Sequence, residues 1–154
     1  MTGFSCERCE NCVDIGAVCK SCKFKMSAEQ IEMCELNNKM VEAALHSLKN
    51  ASSTSVETQL AICEKMLELM DGIYYKHNVN LFTVLRNAMR CCLSLKRVVQ
   101  ALDYGEKLLK IQEFYQYPND LSLLHMKLNL AKLYISQKEM KKAKAHLAPV
   151  MEVF

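Results

Sequence analysis

The chain has 154 residues, of which 51% are hydrophobic and 24% are charged, and its formal net charge is +3. This composition excludes a disordered chain, because it supplies enough apolar residues for a core. It also argues against direct nucleic-acid binding, which favours a more basic surface. Only four Gly and two Pro are present. An all-β protein needs more frequent turns, so long helices are expected.

The sequence indicates a protein that does not bind membranes. It contains no run of 18 apolar residues, and the first residues lack the apolar segment of a secretion signal. We therefore expect the protein in the cytoplasm, the nucleus or both. In such a reducing compartment, clustered cysteines point to metal ligands before disulfides.

The chain divides into two parts, residues 1–26 and residues 27–154. The first part is rich in cysteine and shows no helical periodicity, whereas the second is one helical pattern after another. The second part opens with Ser27 and Gln30 at the spacing of a capping box, in which each side chain bonds the other residue's backbone amide.

About six helices are expected in antiparallel pairs. The first ends at the Ser-rich break over residues 50–54. The second has Ser55 as its N-cap and stops at Asp71-Gly72. Further helices are predicted over residues 81–95 with Asn80 as N-cap, 98–114, 121–136 with Asp120 as N-cap, and about 140–154, where Pro149 is expected to end or kink the helix.

Small residues recur at similar places in successive helix pairs. Ala61, Ala101 and Ala143 are 40 and 42 residues apart in the second helices, and Ala88 and Ala131 occupy the first helices. Close packing of paired helices requires such positions. The pattern predicts an all-α fold that resembles a degenerate stack of about three tetratricopeptide-like units. An unrelated helical bundle is the alternative.

Five cysteines form a dense cluster, C-x2-C-x2-C-x6-C-x2-C, consisting of Cys6, Cys9, Cys12, Cys19 and Cys22. Each C-x2-C pair can offer two thiolates to one ion, and two pairs complete a tetrahedral zinc site. Cys6/Cys9 or Cys9/Cys12 can combine with Cys19/Cys22, and either choice leaves one cysteine over. Disulfides and free thiols are the alternatives. Four thiolates with no open position make a structural site, and metal binding then drives folding.

The other four cysteines lie on apolar helical patterns and are expected to pack in the core, namely Cys34, Cys63, Cys91 and Cys92. No catalytic or nucleotide-binding signature is found in the chain, and none of the four His lies in one. We therefore predict no catalytic residues here.

A peptide-binding surface is a further prediction. Arg86 and Arg90 are four residues apart and share a helix face, and Asn129 and Lys132 lie near the corresponding part of the next unit. Such a basic pair can grip a peptide carboxylate. A solvated helix face is the alternative reading.

The order of these parts resembles the C-terminal region of the SET-and-MYND (SMYD) protein lysine methyltransferases. The segment Phe4–Cys12 is similar to the family's cysteine-rich post-SET segment, and Cys19-x2-Cys22 is similar to a second pair in divergent members. The helical likeness covers nearly the whole chain and is carried by residues 59–63, 101–105, 115–118 and 126–133.

The resemblance implies a helical module from an S-adenosylmethionine-dependent enzyme, with an N-terminal segment that zinc holds together. The chain has no Asn-His dipeptide, which the SET domain uses for that cofactor, and is too short for a SET fold. We expect a fragment, a short isoform or a truncated gene model, inactive alone. It would narrow substrate access or bind protein and peptide partners, such as chaperone tails or methylation substrates. Two alternatives are an enzyme formed with a separate SET-containing chain, and an independent zinc-binding adaptor with a truncated MYND-like finger.

Overall fold

Six helices and a two-stranded antiparallel sheet form the fold in a computed structural model, which describes residues 2–50 and 54–153. The strands are β1 (Phe4–Ser5) and β2 (Cys12–Val13), and the helices are α1 (Ala28–Lys49), α2 (Val56–Met70), α3 (Val79–Ser94), α4 (Val98–Tyr115), α5 (Leu121–Ser136) and α6 (Met140–Met151). The predicted all-α fold with a cysteine-rich N-terminal segment is confirmed.

Polar caps start several of the helices where the sequence placed them. The Gln30 amide donates to Ser27 Oγ at 3.2 Å, and the Ser27 amide donates to Gln30 Oε1 at 2.7 Å, which completes the predicted capping box. Ser55 and Asp120 cap α2 and α5 through their side-chain oxygens alone, which accept from the amides of Thr58 and Ser122. These caps satisfy amides that have no partner inside the helix.

The N-cap of α3 differs from the prediction. Asn78 caps the helix and Asn80 lies inside it, since the Asn80 amide donates to Asn78 Oδ1 at 2.7 Å. Asn78 is fully buried, and its Nδ2 donates to the Gly3 carbonyl at 2.8 Å. A contact with a residue 75 positions away therefore decides between two asparagines that look equivalent locally.

Pro149 does not end the last helix, which continues to Met151. Proline lacks an amide hydrogen and disrupts a helix interior, but here only two helical residues follow it. The predicted end at Phe154 lies outside the described residues. So does the middle of the Ser-rich break, residues 51–53, while Lys49 and Ser55 bound that break as expected.

Consecutive helices pack against each other from α1 to α6. Ala88, Ala101, Ala131 and Ala143 are buried at the contacts between helices, as the repeat pattern predicts. Ala61 is exposed, so its assignment to this repeated position is wrong. The buried face of α2 instead consists of Leu60, Cys63, Met66 and Met70.

A glycine brings α4 and α5 together. A Cβ atom at Gly105 would lie only 2.5 Å from Leu130 Cδ2 and 3.3 Å from Met89 Cε. Both Gly105 and Leu130 are buried. Leu130 therefore fills space that any larger residue at position 105 would occupy, and the two positions form one packing unit.

A shared carboxylate links α4, α5 and α6. Glu106 Oε1 accepts a hydrogen bond from the Tyr134 hydroxyl at 2.8 Å and lies 2.7 Å from His146 Nε2. The Tyr134 and His146 rings stack with centroids 5.6 Å apart. Burial, with Glu106 as hydrogen-bond acceptor, raises the pKa of Tyr134. This contact ties the last helix to the rest of the stack.

None of the described helices is long and apolar enough to cross a lipid bilayer.

The surroundings of His77 predict that the stability of the fold depends on pH. Its ring stacks on Phe114 with centroids 3.9 Å apart, and burial, followed by the charge of Lys76, lowers the pKa of His77 from its ordinary 6.5. As the pH falls below 6.5, the unfolded chain binds the proton first, so the free energy of unfolding decreases. We expect His77→Gln to lose less stability than the wild type between pH 7.5 and 5.5 in urea denaturation.

A matched control for this prediction is His46→Gln, because His46 is exposed. The curve of that variant shows what the loss of an exposed imidazole does, and the His77→Gln curve is compared with it. Parallel stability curves for the wild type and His77→Gln would show that His77 does not titrate with folding.

Candidate metal centre

Two turns of the same design present the four cysteines of the centre. In the first, the Glu10 amide donates to the Cys6 carbonyl at 2.8 Å, and the Cys6 amide donates to the Asn11 carbonyl at 2.9 Å. In the second, Lys23 and Phe24 make the equivalent bonds with Cys19, at 2.9 and 2.8 Å. The two C-x2-C pairs are therefore held in matching backbone frames.

Each turn closes with a residue in the left-handed region. Glu10 follows Cys9 with φ of 59°, and Lys23 follows Cys22 with φ of 61°. Residues other than glycine adopt such angles infrequently and at some cost in free energy. Their occurrence at equivalent places, one after each pair, shows that the two turns have the same backbone path.

The four sulfur atoms converge on one point. Cys6 Sγ lies 3.5 Å from Cys22 Sγ, and Cys9 Sγ lies 3.6 Å from Cys19 Sγ. All four lie within 4.8 Å of one another. A tetrahedral site with Zn–S bonds of about 2.3 Å separates its sulfurs by about 3.8 Å. The group can hold zinc, and its four thiols leave no position for a catalytic water.

Backbone amides favour the thiolate form of Cys19. Hydrogen bonding from the Cys22 amide, with a further contribution from the Ser21 amide, lowers the pKa of Cys19 to about 6. For Cys22 the Phe24 amide lowers the pKa, but burial and the neighbouring thiols together outweigh it and raise the pKa to about 12. Thiolates are the metal-binding form of cysteine, and a bound cation favours that form at all four positions.

Cys12 lies outside this group of four. It belongs to β2, and its Sγ contacts the backbone of Gly3, where a Cβ atom would collide with the sulfur. Burial, followed by the charge of Asp14, raises the pKa of Cys12, so its thiol form is favoured. Of the two combinations open from the sequence, the structure brings together Cys6/Cys9 with Cys19/Cys22, and a ligand role for Cys12 is not supported.

A short strand pairing joins residues 2–26, which we call the metal segment, to the six helices. The Ser5 amide donates to the Ile73 carbonyl at 2.8 Å, and the Tyr75 amide donates to the Gly3 carbonyl at 3.2 Å. Phe4 forms an antiparallel bridge with Tyr74. Because β1 pairs with β2 on its other edge, the segment 73–75 acts as a third strand beside the cysteine cluster.

Side chains reinforce this junction. Ser5 Oγ donates to the Tyr74 carbonyl at 3.0 Å, and the Phe4 and Tyr74 rings lie with centroids 4.8 Å apart. The Tyr74 hydroxyl donates to Asn38 Oδ1 on α1 at 3.2 Å. Tyr74 therefore contacts both the metal segment and the first helix. Sequence reasoning missed these residues, since nothing local to them marks a long-range pairing.

The remaining cysteines are buried as expected. Cys34, Cys63, Cys91 and Cys92 expose no more than 5% of their surface. Burial raises the pKa of each of these thiols. Cys91 and Cys92 are adjacent, and both are covered because α3 lies between α2 and α4.

The four residues predicted to bind peptide are placed on two helices. On α3, Arg90 Nη2 donates to Asn87 Oδ1 at 3.3 Å and Gln59 Oε1 at 3.5 Å, and Arg86 Cζ lies 5.8 Å from the Phe82 ring centroid. Asn129 is half-buried and Lys132 exposed on α5. Within residues 2–50 and 54–153, no hydrogen bond or ion pair joins the two groups. The clamp stays a prediction.

The fold and the sulfur geometry define a class of protein, a helical stack that carries a four-cysteine centre at its N-terminal end. No family profile matches the chain. It is 33% identical to SET domain-containing protein 14 of Caenorhabditis elegans over 116 residues, which is 75% of this chain and 27% of that protein.

Lysine methyltransferases of vertebrates are similar as well. N-lysine methyltransferase SMYD2-A of Danio rerio is 33% identical over 76 residues, 49% of this chain and 18% of that protein. SMYD2-B of Xenopus laevis is 33% identical over 101 residues, 61% of this chain and 23% of that protein. The chain is thus a relative of the SMYD lysine methyltransferases, consistent with their C-terminal region, and spans about a quarter or less of these relatives.

Proposed function

We propose that this chain is the zinc-binding helical module of a SMYD-type protein lysine methyltransferase. In the whole enzyme, S-adenosylmethionine supplies the methyl group and binds to the SET domain. The module's post-SET segment helps to close the pocket for the cofactor and the substrate lysine. Its helices narrow the access to that pocket and bind protein or peptide partners, such as chaperone tails or methylation substrates.

The observation that carries this proposal is the four-cysteine group on its strand junction. Cys6, Cys9, Cys19 and Cys22 would hold zinc, which fixes the two turns in place. The strand pairing with Ile73–Tyr75 then sets the position of the turns relative to the helices. A segment that must form part of a pocket wall needs such a fixed position.

Methyl transfer from radiolabelled S-adenosylmethionine tests the proposal. The zinc-loaded chain alone should transfer no methyl group to histone or cytosolic protein. Added to a SMYD2 protein that lacks the corresponding segment, it should raise transfer above that of the shortened SMYD2 protein alone. Transfer by the isolated chain would overturn the view that it is a module without a catalytic core. A folded, zinc-loaded chain without effect would favour an independent adaptor.

A further inference from the structure

A groove of about 1000 Å³ lies between α2 and α4. Leu81 and Leu85 of α3 line its base, and the loop 72–77 closes one end together with Ser5. This volume is at the upper end of the range for ligand pockets, about 300–1,000 Å³. The predicted clamp residues do not line it.

The floor of the groove is apolar and firmly packed. Met70, Leu85 and Ile111 are buried, with Leu67 and Leu81 half-buried beside them. Because these side chains come from three different helices that pack against one another, the floor is part of the core. A ligand that covers it must present an apolar surface of its own.

The two sides of the groove carry opposite charges. Glu64, Glu68 and Asp71, at the C-terminal half of α2, form what we call the acidic side. Lys107 and Lys110 of α4 and Lys76 of the loop form the basic side.

Some of the groove charges have partners within the protein, and the Tyr104 hydroxyl donates to Glu64 Oε1 at 3.5 Å. Asp103 also lines the groove, but it pairs with Lys107 at 2.8 Å, and Glu68 pairs with Lys65 at 2.8 Å. Both pairs are more than half exposed. Such surface pairs contribute little and can exchange partners readily. Their charges therefore remain available to a bound partner.

We propose that this groove binds an amphipathic helix of a protein partner, with an apolar stripe flanked by basic residues on one side and acidic residues on the other. The proposal rests on, and deepens, the partner-binding role proposed above. Helices commonly bind by laying an apolar face in such a groove. The basic flank of the bound helix lies against the acidic side of the groove on α2, and its acidic flank lies against the basic side on α4. Reversing the helix places like charges together, so the groove also selects one direction.

Three synthetic peptides test this inference. They share one length, one leucine stripe and a fluorescein label, and differ in their flanks, which are Lys and Glu on opposite sides, Lys on both sides, or Glu on both sides. Fluorescence anisotropy with the zinc-loaded full chain at low salt should show the mixed peptide binding about fivefold tighter than either other peptide, because several exposed charge pairs each contribute modestly. Equal affinities for the three peptides would overturn the proposal.

A change of specificity provides the sharper test. Glu68→Lys/Asp71→Lys leaves Glu64 in place but changes the acidic side from three negative charges to a net positive charge, so the variant should prefer the peptide with Glu on both flanks. Glu32→Lys/Glu35→Lys changes the net charge equally on the exposed face of α1 and should keep the preference for the mixed peptide. The same switch in both variants would show that net charge, not the groove, decides binding. Zinc content and methyl transfer are measured separately, so loss of the groove proposal leaves the module assignment standing.

Discussion

Replacing Cys19 with Ser is expected to abolish stoichiometric zinc binding and to lower the melting temperature of the whole protein by about 10 °C. Zinc binding by small domains contributes many kcal/mol, all of it tied to folding. In a chain of this size, each kcal/mol taken from the free energy of unfolding lowers the melting temperature by about 2–4 °C, and we expect a loss of a few kcal/mol. Cys19 is nearly fully buried among the other thiols, so Ser cannot replace it as a soft ligand.

Loss of zinc should also destabilise the helices, because the strand pairing connects the metal segment to them. Gly3 and Ser5 provide backbone partners for Ile73 and Tyr75, and Asn78, the cap of α3, bonds the Gly3 carbonyl. When the metal segment unfolds, these polar groups lose their partners, and a hydrogen bond of this kind contributes about 0.5–1.5 kcal/mol. We therefore expect hydrogen exchange to accelerate at the start of α3 as well as in residues 2–26.

Cys12→Ser is the matched control, since Cys12 lies in the same segment but outside the sulfur group. It should retain one zinc per chain by metal analysis and stay close to the wild-type melting temperature. The proposed ligand set fails if Cys19→Ser keeps full zinc content, or if Cys12→Ser loses it.

Leu130→Ala is expected to lower the free energy of unfolding by about 3 kcal/mol, within the range of about 2–5 for a large buried side chain. Leu130 is fully buried and fills the space above Gly105, where α4 and α5 approach closely. Leu121→Ala in the same helix is the control, because Leu121 is 71% exposed. That variant should change stability by less than about 0.5 kcal/mol in urea denaturation.

A double-mutant cycle shows whether the two positions are one packing unit. In the wild type, Gly105→Ala gains helix propensity, but its Cβ meets Leu130 Cδ2 at 2.5 Å, and the clash offsets the gain. In the Leu130→Ala background the same change should stabilise by about 1 kcal/mol, because the contact with Leu130 is removed and only the flexible end of Met89, 3.3 Å from the added Cβ, must adjust. Additive effects of the two substitutions would contradict the close contact described here.

Local chemistry predicted much of this fold and site. The caps Ser27, Ser55 and Asp120 act within three residues of themselves, so their short sequence patterns are sufficient. The spacing of the cysteines identified the metal segment, because a C-x2-C pair can reach one ion without help from the rest of the chain.

Features that depend on distant partners were not predictable in this way. The choice among five cysteines required the path of the backbone through the left-handed residues Glu10 and Lys23. Asn78 was preferred to Asn80 through a bond to Gly3. Ala61 fits the repeat by position, but the packing of α2 on α3 turns it to solvent.

The strand pairing between the metal segment and residues 73–75 also limits how far this chain can be shortened from its N-terminus. A shortened chain beginning at Ser27 would keep all six helices but would uncover the edge of Ile73–Tyr75, together with the ring of Tyr74 that Phe4 now covers. Unpaired edges of this kind recruit strands from other molecules. Because the cysteine-rich segment covers this edge, we expect the helical body to stay monodisperse only while that segment is in place.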